Sequence, residues 1–382
     1  MTTVPDLDGL VALRHRLHRR PETAFDVHDT AALVADRLRG LGWDVTTGVG
    51  GSGVVGTLRR GTRDRAIGLR AELDALPITE ANTFDHRSEV DGAFHGCGHD
   101  GHATMLLGAA EVLAADPDLD GTVHVLFQPD EENGRGAQAM IDDGLFDRFP
   151  MDAVFGLPNL PGLPVGHLAT QPGTFTAFEE VFAIDLHGSG GHASAPERTV
   201  DPLVVGAEVV LALQSIVSRS LAPSDHGVVS VTELVTDGAR NIIPSHVTIR
   251  GDVRGYDDAV GARIHDRMVR IVDGVTAAHG ATGEVHYERE FAPVVNTPDE
   301  AAEAGRAAAT VDGMTVDTAH GRVGFSEDFA QFLHHRPGCF VLLGNGPDSA
   351  SLHHPAFDFA DASIPFGVAW WHALVRGRLA LS

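Results

Sequence analysis

Lysine is absent from this 382-residue chain. Every fixed positive side chain is therefore an arginine, and 28 of them stand against 53 acidic residues, for a net charge of −25. That balance, with no basic run, excludes a protein that tracks nucleic-acid phosphates, because the polyanion would be repelled. Cysteine is nearly absent too: Cys97 and Cys339 are the only two. Two distant thiols make no disulfide framework, which fits a reducing compartment. Long apolar runs are also missing, and none approaches the ~18 residues of a membrane span. The stretch MTTVPDLDGLVALRHRL carries charge early and has no apolar centre, so it does not read as a secretory signal. The expectation is a cytoplasmic protein without a membrane partner. What remains is 43% hydrophobic and 21% charged, an ordinary globular composition. At roughly 150 residues per domain the length suggests two to three domains.

Apolar positions recur at helical spacing over 6–20 and 27–41, and Arg20-Pro21 separates the two. Short runs at 43–47, 53–58 and 65–71 read as strands with glycine-rich turns between them. A helix is expected from about Ala103 to Ala115. The continuous apolar runs at 123–127, 152–157 and 338–344 suit strands buried on both faces. Strands alternating with helices predict an α/β domain, a mostly parallel sheet with helices on both faces. The middle of the chain has another rhythm: strand 181–188, a helix opened by Asp201-Pro202, alternating strands 227–235 and 247–255, a helix from about Asp258 to His279 stopped by Gly280, and strand 283–290. This βαββαβ order is ferredoxin-like and closes on itself. It reads as an inserted domain over 178–291, with 1–177 and 292–382 forming one discontinuous metal-binding catalytic domain.

The densest chemical signal is HGCGHDGH at 95–102. A thiolate at Cys97 and an imidazole at His99 are good first-row metal ligands, and three glycines let the backbone aim them inward. Glu131 and Glu132 follow the buried run 123–127, at the strand end where α/β sheets bind ligands. Two adjacent carboxylates can divide labour, one holding a metal and one moving a proton. Asp74, in LRAELDALP, follows a strand and could orient a ligating histidine. In SLHHPAFDF either His353 or His354 could complete the set. Each segment alone also reads as a polar loop; together they converge on metal chemistry.

In sequence order, LRAELDALP, HGCGHDGHATMLLGAA, FQPDEENGRGAQAMIDDGLF, GLPVG, GGHASAP, VDPLVVGAEVVLALQSIVSR, NIIP, SEDFAQF and LHHPAFDF resemble one family. It is the cocatalytic metallopeptidase and aminoacylase family of hippurate hydrolases, N-acetyldiaminopimelate deacetylase and indole-3-acetyl-amino-acid hydrolases. The resemblance implies metal-dependent hydrolysis of an N-acyl amino acid or similar small amide, with one or two Zn²⁺, Mn²⁺ or Co²⁺ ions per subunit. It implies Cys97, His99, Glu132 and His353 as ligands, Glu131 as general base and Asp74 as a support. The inserted domain corresponds to a lid that also forms a homodimer contact, with His192 reaching a neighbouring active site to polarise the scissile carbonyl. Asn241 would lie near the substrate. Arg254 is a candidate grip for a substrate carboxylate, since arginine can hold one with two hydrogen bonds.

One residue departs from that pattern. The family has a histidine ligand in a Gly-Leu-His-Asn-like segment, where this chain has FGLPNLPGLP with Pro158 in its place. Glu72 also replaces a commoner aspartate. Three outcomes are open: a single-metal enzyme, a replacement ligand from His95, His102 or His167, or a non-catalytic amide-binding protein. A dipeptidase or carboxypeptidase on the same scaffold is a further alternative.

Overall fold

The structure, a computed structural model, describes residues 6–380. Its chain divides into two compact units: the described parts of Met1–Phe175, Val294–Arg322 and Glu327–Ser382 form one, and Thr176–Pro293 with Val323–Ser326 forms the other. The first half of the chain carries α1 (Leu7–Arg19), α2 (His28–Gly40), β1 (Asp44–Val49), β2 (Gly53–Arg60), β3 (Ala66–Glu72), α3 (His99–Ala114), β4 (Gly121–Gln128), α4 (Gly136–Asp142) and β5 (Ala153–Gly156). Then come β6 (Phe178–His187), α5 (Pro202–Ser215), β7 (Gly227–Thr236), β8 (His246–Gly255), α6 (Asp258–His279) and β9 (Thr282–Phe291). The chain ends with α7 (Pro298–Ala308), β10 (Gly338–Phe340) and α8 (Ile364–Leu379).

The main sheet of the first unit runs β1-β2-β4-β3-β5-β10. From β4 to β10 the strands are parallel, and β1 and β2 extend that block antiparallel. Strands β3, β4 and β5 are buried at every position, which is why their sequences run apolar without alternation. Arg70 and Glu72 break that rule inside β3, and the site below accounts for them. Against the sheet pack Leu10, Leu13 and Leu17 of α1, the apolar length of α3, and Trp370 and Trp371 of α8. Burying each such side chain contributes about 1.5–3 kcal/mol. The helices meet closely at Gly108, where a Cβ would stand 2.7 Å from both Leu10 and Val368.

Two elements differ from the sequence expectation. Helix α3 begins at His99, a turn earlier than Ala103, because Gly98 at φ 94° caps it; glycines at 98 and 101 disguise a helix start as a loop. The run 338–344 is not one strand. It pairs with β5 as far as Phe340, then Leu342–Gly344 moves to a second sheet with Asn159–Leu160 and His167–Ala169. The register with 154–160 does not change: Val341 and Leu343 donate to the carbonyls of Gly156 and Pro158 at 3.0 and 2.8 Å, while Pro158 has no N–H to donate in return, so the strand is interrupted there.

The second unit has the order β7-β8-β6-β9, antiparallel throughout, with α5 and α6 connecting the strands. Burial along β6 alternates, and its inward residues Phe178, Phe182, Ile184 and Leu186 join Val205, Val209 and Leu213 of α5 and Ile264, Met268 and Val272 of α6. Asp201 and Asp257 accept the N–H groups of Leu203 and Ala259 as N-caps, each worth about 1 kcal/mol. This core is separate from that of the first unit.

Candidate metal centre

Four segments of the first unit converge: the turn after β3 with Asp74, the loop into α3 with Cys97 and His99, the loop after β4 with Glu131 and Glu132, and the loop bearing His353. His99 Nδ1 lies 2.7 Å from the Asp74 carbonyl, so Nδ1–H donates there and leaves the Nε2 lone pair for a ligand. The donor atoms of Cys97, His99 and Glu132 all lie within 4.8 Å of one another. His99 Nε2 is 3.9 Å from Glu132 Oε1, and His353 Nε2 is 3.4 Å from Glu132 Oε2. Ligands bound tetrahedrally at 2.0–2.3 Å stand about 3.3–3.8 Å apart, so Cys97, His99 and Glu132 are spaced to share one ion, with His353 beside Glu132 but outside that group of three. Glu132 Oε1 is buried with no hydrogen-bond partner, an acceptor that a cation would satisfy. Asp74 Oδ2 accepts the Glu132 N–H at 3.1 Å, so one residue orients two of the donors.

The backbone is strained where it delivers these groups. Asp130 and His353 are two of three non-glycine residues with positive φ among the described residues, at 50° and 64°. Burial pushes the Cys97 thiol up to about 12, with Glu132 adding to the effect, and pushes Glu132 up to about 7. Burial opposes charge on His99, but Cys97, Asp74 and Glu72 outweigh it and hold His99 well above its ordinary value. Burial and then His99 hold His353 below its ordinary value, which keeps this imidazole neutral. Crowded acidic donors that retain protons are what a divalent cation displaces on binding.

Glu131 stands just outside the donor set, its Oε2 3.7 Å from His99 Nε2. Burial, then Glu327, Glu132 and Asp328, push its carboxyl well above the usual range. Behind it lies a cluster that the sequence reading assigned no role. The fully buried Arg70 donates to Gln128 Oε1 at 2.8 Å, to Glu327 Oε1 and Asp328 Oδ1 at 2.9 Å each, and to Glu72. An arginine and a glutamate two apart in an otherwise apolar strand were the available signal, since both side chains then share one face.

Of the three candidate replacements for Pro158, His102 and His167 are engaged elsewhere, and His95 belongs to no group of converging donors among the described residues. His102 Nδ1 donates to Glu72 Oε2 at 2.8 Å, and its Nε2 accepts the Asn159 N–H at 2.8 Å. Glu72, His99 and His102 do bring donor atoms within 4.8 Å of one another, yet both nitrogens of His102 are engaged. His95 is buried without a partner on either nitrogen, and burial lowers it to about 4. His167 bonds Thr315 Oγ1 at 2.8 Å in the second sheet. His354 Nδ1 accepts the Ala356 N–H at 3.1 Å within its own turn.

In the second unit, Gly191–His192 pairs with Ile242–Ile243, and the Ala193 N–H donates to the Asn241 carbonyl at 3.0 Å. His192 and Asn241 are thus neighbours on an exposed ribbon. His192 Nδ1 accepts from the Ser194 N–H and hydroxyl, so neutral His192 carries its proton on Nε2. Arg254 is engaged by Glu179 at 2.7 Å, Asp252 at 3.0 Å and Ser326 Oγ at 2.7 Å.

Comparison with known proteins agrees with this geometry. Residues 68–377 match Peptidase family M20/M25/M40. A hippurate hydrolase of Campylobacter jejuni is 36% identical over 97% of this chain and 96% of its own. An N-acetyl-L-cysteine deacetylase of Bacillus subtilis is 33% identical, covering 93% and 84%. A thermostable carboxypeptidase of Saccharolobus solfataricus is 35% identical, covering 91% and 88%. The solved structure of the Bacillus subtilis YXEP protein, described as a dinuclear metal-binding peptidase, aligns with a TM-score of 0.85 at 27% identity over 97% of each chain. With the donor set in the first unit and a match over most of its length, the chain belongs to peptidase family M20/M25/M40 and is a metal-dependent amidohydrolase.

Proposed function

We propose that the substrate is an N-acyl amino acid, cleaved into a carboxylic acid and the free amino acid, with Glu131 as general base. One observation carries the reading: Glu131 is buried with its Oε2 3.7 Å from His99 Nε2, beside Glu132 yet outside the group formed by Cys97, His99 and Glu132. Cys97, His99, Glu132 and His353 would hold one Zn²⁺, Mn²⁺ or Co²⁺. A divalent cation there lowers the pKa of water towards neutrality and polarises an amide carbonyl. Glu131 accepts the proton of the attacking water and returns it to the leaving nitrogen. Asp74 keeps His99 in its ligating tautomer. His192 Nε2–H is the donor for the carbonyl oxygen, beside Asn241. Arg254 grips a substrate carboxylate only by exchanging it for Glu179 or Asp252.

The hippurate hydrolase and the N-acetyl-L-cysteine deacetylase act, by name, on small N-acyl amino acids, which supports the substrate class. The carboxypeptidase similarity supports the rival, cleavage of a C-terminal residue from a peptide. Release of amine from N-acyl amino acids but not from dipeptides separates the two. A homodimer through the second unit is supported by the exposed apolar residues Leu203, Val204 and Leu211 of α5 beside the edge strand β7. For the base, Glu131→Gln keeps shape and removes basicity. Turnover should fall about 10²–10⁴-fold with bound metal unchanged. Turnover near wild type, with metal present, would show that Glu131 is not the base.

A further inference from the structure

The SEDFAQF segment contributes Glu327 and Asp328 to the buried cluster, and the proposed mechanism gives them no task. Asp328 is 1% exposed and its bonds are specific. Its Oδ1 accepts from Arg70 Nη2 at 2.9 Å and Gln128 Nε2 at 2.8 Å. Its Oδ2 accepts from Gln128 Nε2 at 2.8 Å and from the Ala137 N–H at 2.9 Å. Gln128 is the last residue of β4, and Ala137 is the second of α4. One carboxylate therefore ties together both ends of the loop that carries Glu131 and Glu132.

That tie replaces what the local sequence does not supply. The first-turn N–H groups of α4 need partners from outside the helix, and Arg135 at its N-cap offers no side-chain bond. Within the loop, Asp130 has a positive φ, and the Asp130 carbonyl accepts from both Arg135 and Gly136. A Cβ at Gly136 would lie 1.5 Å from the Pro129 carbonyl oxygen, so the two loop ends are in direct contact. A strained loop keeps one shape when its ends are fixed.

We infer that Asp328 is a positioning residue for hydrolysis: by fixing the start of α4 to the end of β4, it holds Glu131 at its working distance from the metal ligands. The inference rests on the reading of Glu131 as base. Arg70 completes the device by keeping the buried carboxylate paired.

The test is Asp328→Asn in the full-length, metal-loaded protein. All donors converging on Asp328 are N–H groups, so an amide presents an NH₂ where an acceptor is needed. Turnover per bound metal should fall about 10–100-fold, the cost of misplacing a catalytic group by about 1 Å. KM should stay within about threefold and the metal count should not change. Amide exchange of residues 130–137 in metal-free protein should quicken. The double variant Gln128→Glu/Asp328→Asn restores a carboxylate to Arg70 and lets the asparagine oxygen take the Ala137 N–H, so turnover and exchange should recover. If Asp328→Asn does not fold, Gln128→Met decides, with an expected loss of about 3–10-fold. Turnover per metal within twofold of wild type, or a double variant that recovers neither reading, overturns the proposal. Glu131→Gln runs in parallel: if it keeps turnover, the base reading fails; if it is inactive while Asp328→Asn is normal, only the positioning role fails.

Discussion

At the scale of single residues, Pro158 bears on the proposed metal count. It brings no donor and it leaves one N–H out of the ladder between β5 and the 338–344 segment, so its influence is geometric as well as chemical. The next residue, Asn159, uses its N–H on His102 Nε2, which removes the nearest imidazole from competition. The four proposed ligands, Cys97, His99, Glu132 and His353, would serve one ion. Wild-type protein loaded with excess zinc and dialysed should therefore carry about one ion per subunit by elemental mass spectrometry. Pro158→His should carry about two, since it adds an imidazole beside the cluster without disturbing the carbonyl that accepts from Leu343. Two ions in the wild type would mean that a group other than those four completes a second site, with His102 the first candidate for Ala replacement.

At the scale of elements, legibility followed locality. Helix α6 was legible at both ends because its start and stop are written in the chain: Asp257 caps it, Asp258 opens it, and Gly280 at φ 71° follows it. The closeness of Cys97 and His99 was legible because the two donors lie within three residues of each other. The Arg70 cluster was not, because Arg70 meets Glu327 across 257 residues and only the fold brings them together. The split of 338–344 was equally hidden, because His167–Ala169, which joins Leu342 and Leu343 on their other side, is about 170 residues away in the chain. In α5 the sequence shows apolar residues on every side, while the structure shows which are left over. Val205, Val209 and Leu213 face the core, and Leu211 is 74% exposed. Edge strand β7 adds Val228, Leu234 and Val235, and an open edge beside an apolar helix invites pairing with a second copy. If the proposed dimer uses this face, light scattering should find a dimer for the wild type and a monomer for Leu211→Asp, which should cost the fold no more than about 1 kcal/mol, as expected for an exposed helical position. A dimer that persists would assign the interface to another face.

At the scale of the whole molecule, two separate cores carry one chain, and only the first contains the metal donors. A cation bound at 100–1,000 times its Kd stabilises the native state by about 2.7–4 kcal/mol. For a unit of this size that corresponds to roughly 5–15 °C in melting temperature. Calorimetry should therefore resolve two transitions, of which zinc raises one and leaves the other within about 2 °C. Hydrogen exchange identifies the shifted one by protection of β3, β4 and α3. The effect has a definite pH dependence. Without metal, burial pushes Glu132 up to about 7, so the folded unit favours the protonated carboxyl more than the unfolded chain does. That contribution is fully present below the unfolded value near 4.3 and is lost as pH rises through about 7. Bound metal needs the ionised donors and reverses the preference. The zinc-induced shift should then grow from pH 5.5 to pH 7.5. A shift shared equally by both transitions would mean that the units unfold as one. A shift that shrinks with rising pH would mean that the ion is not held by the acidic donors beside His99.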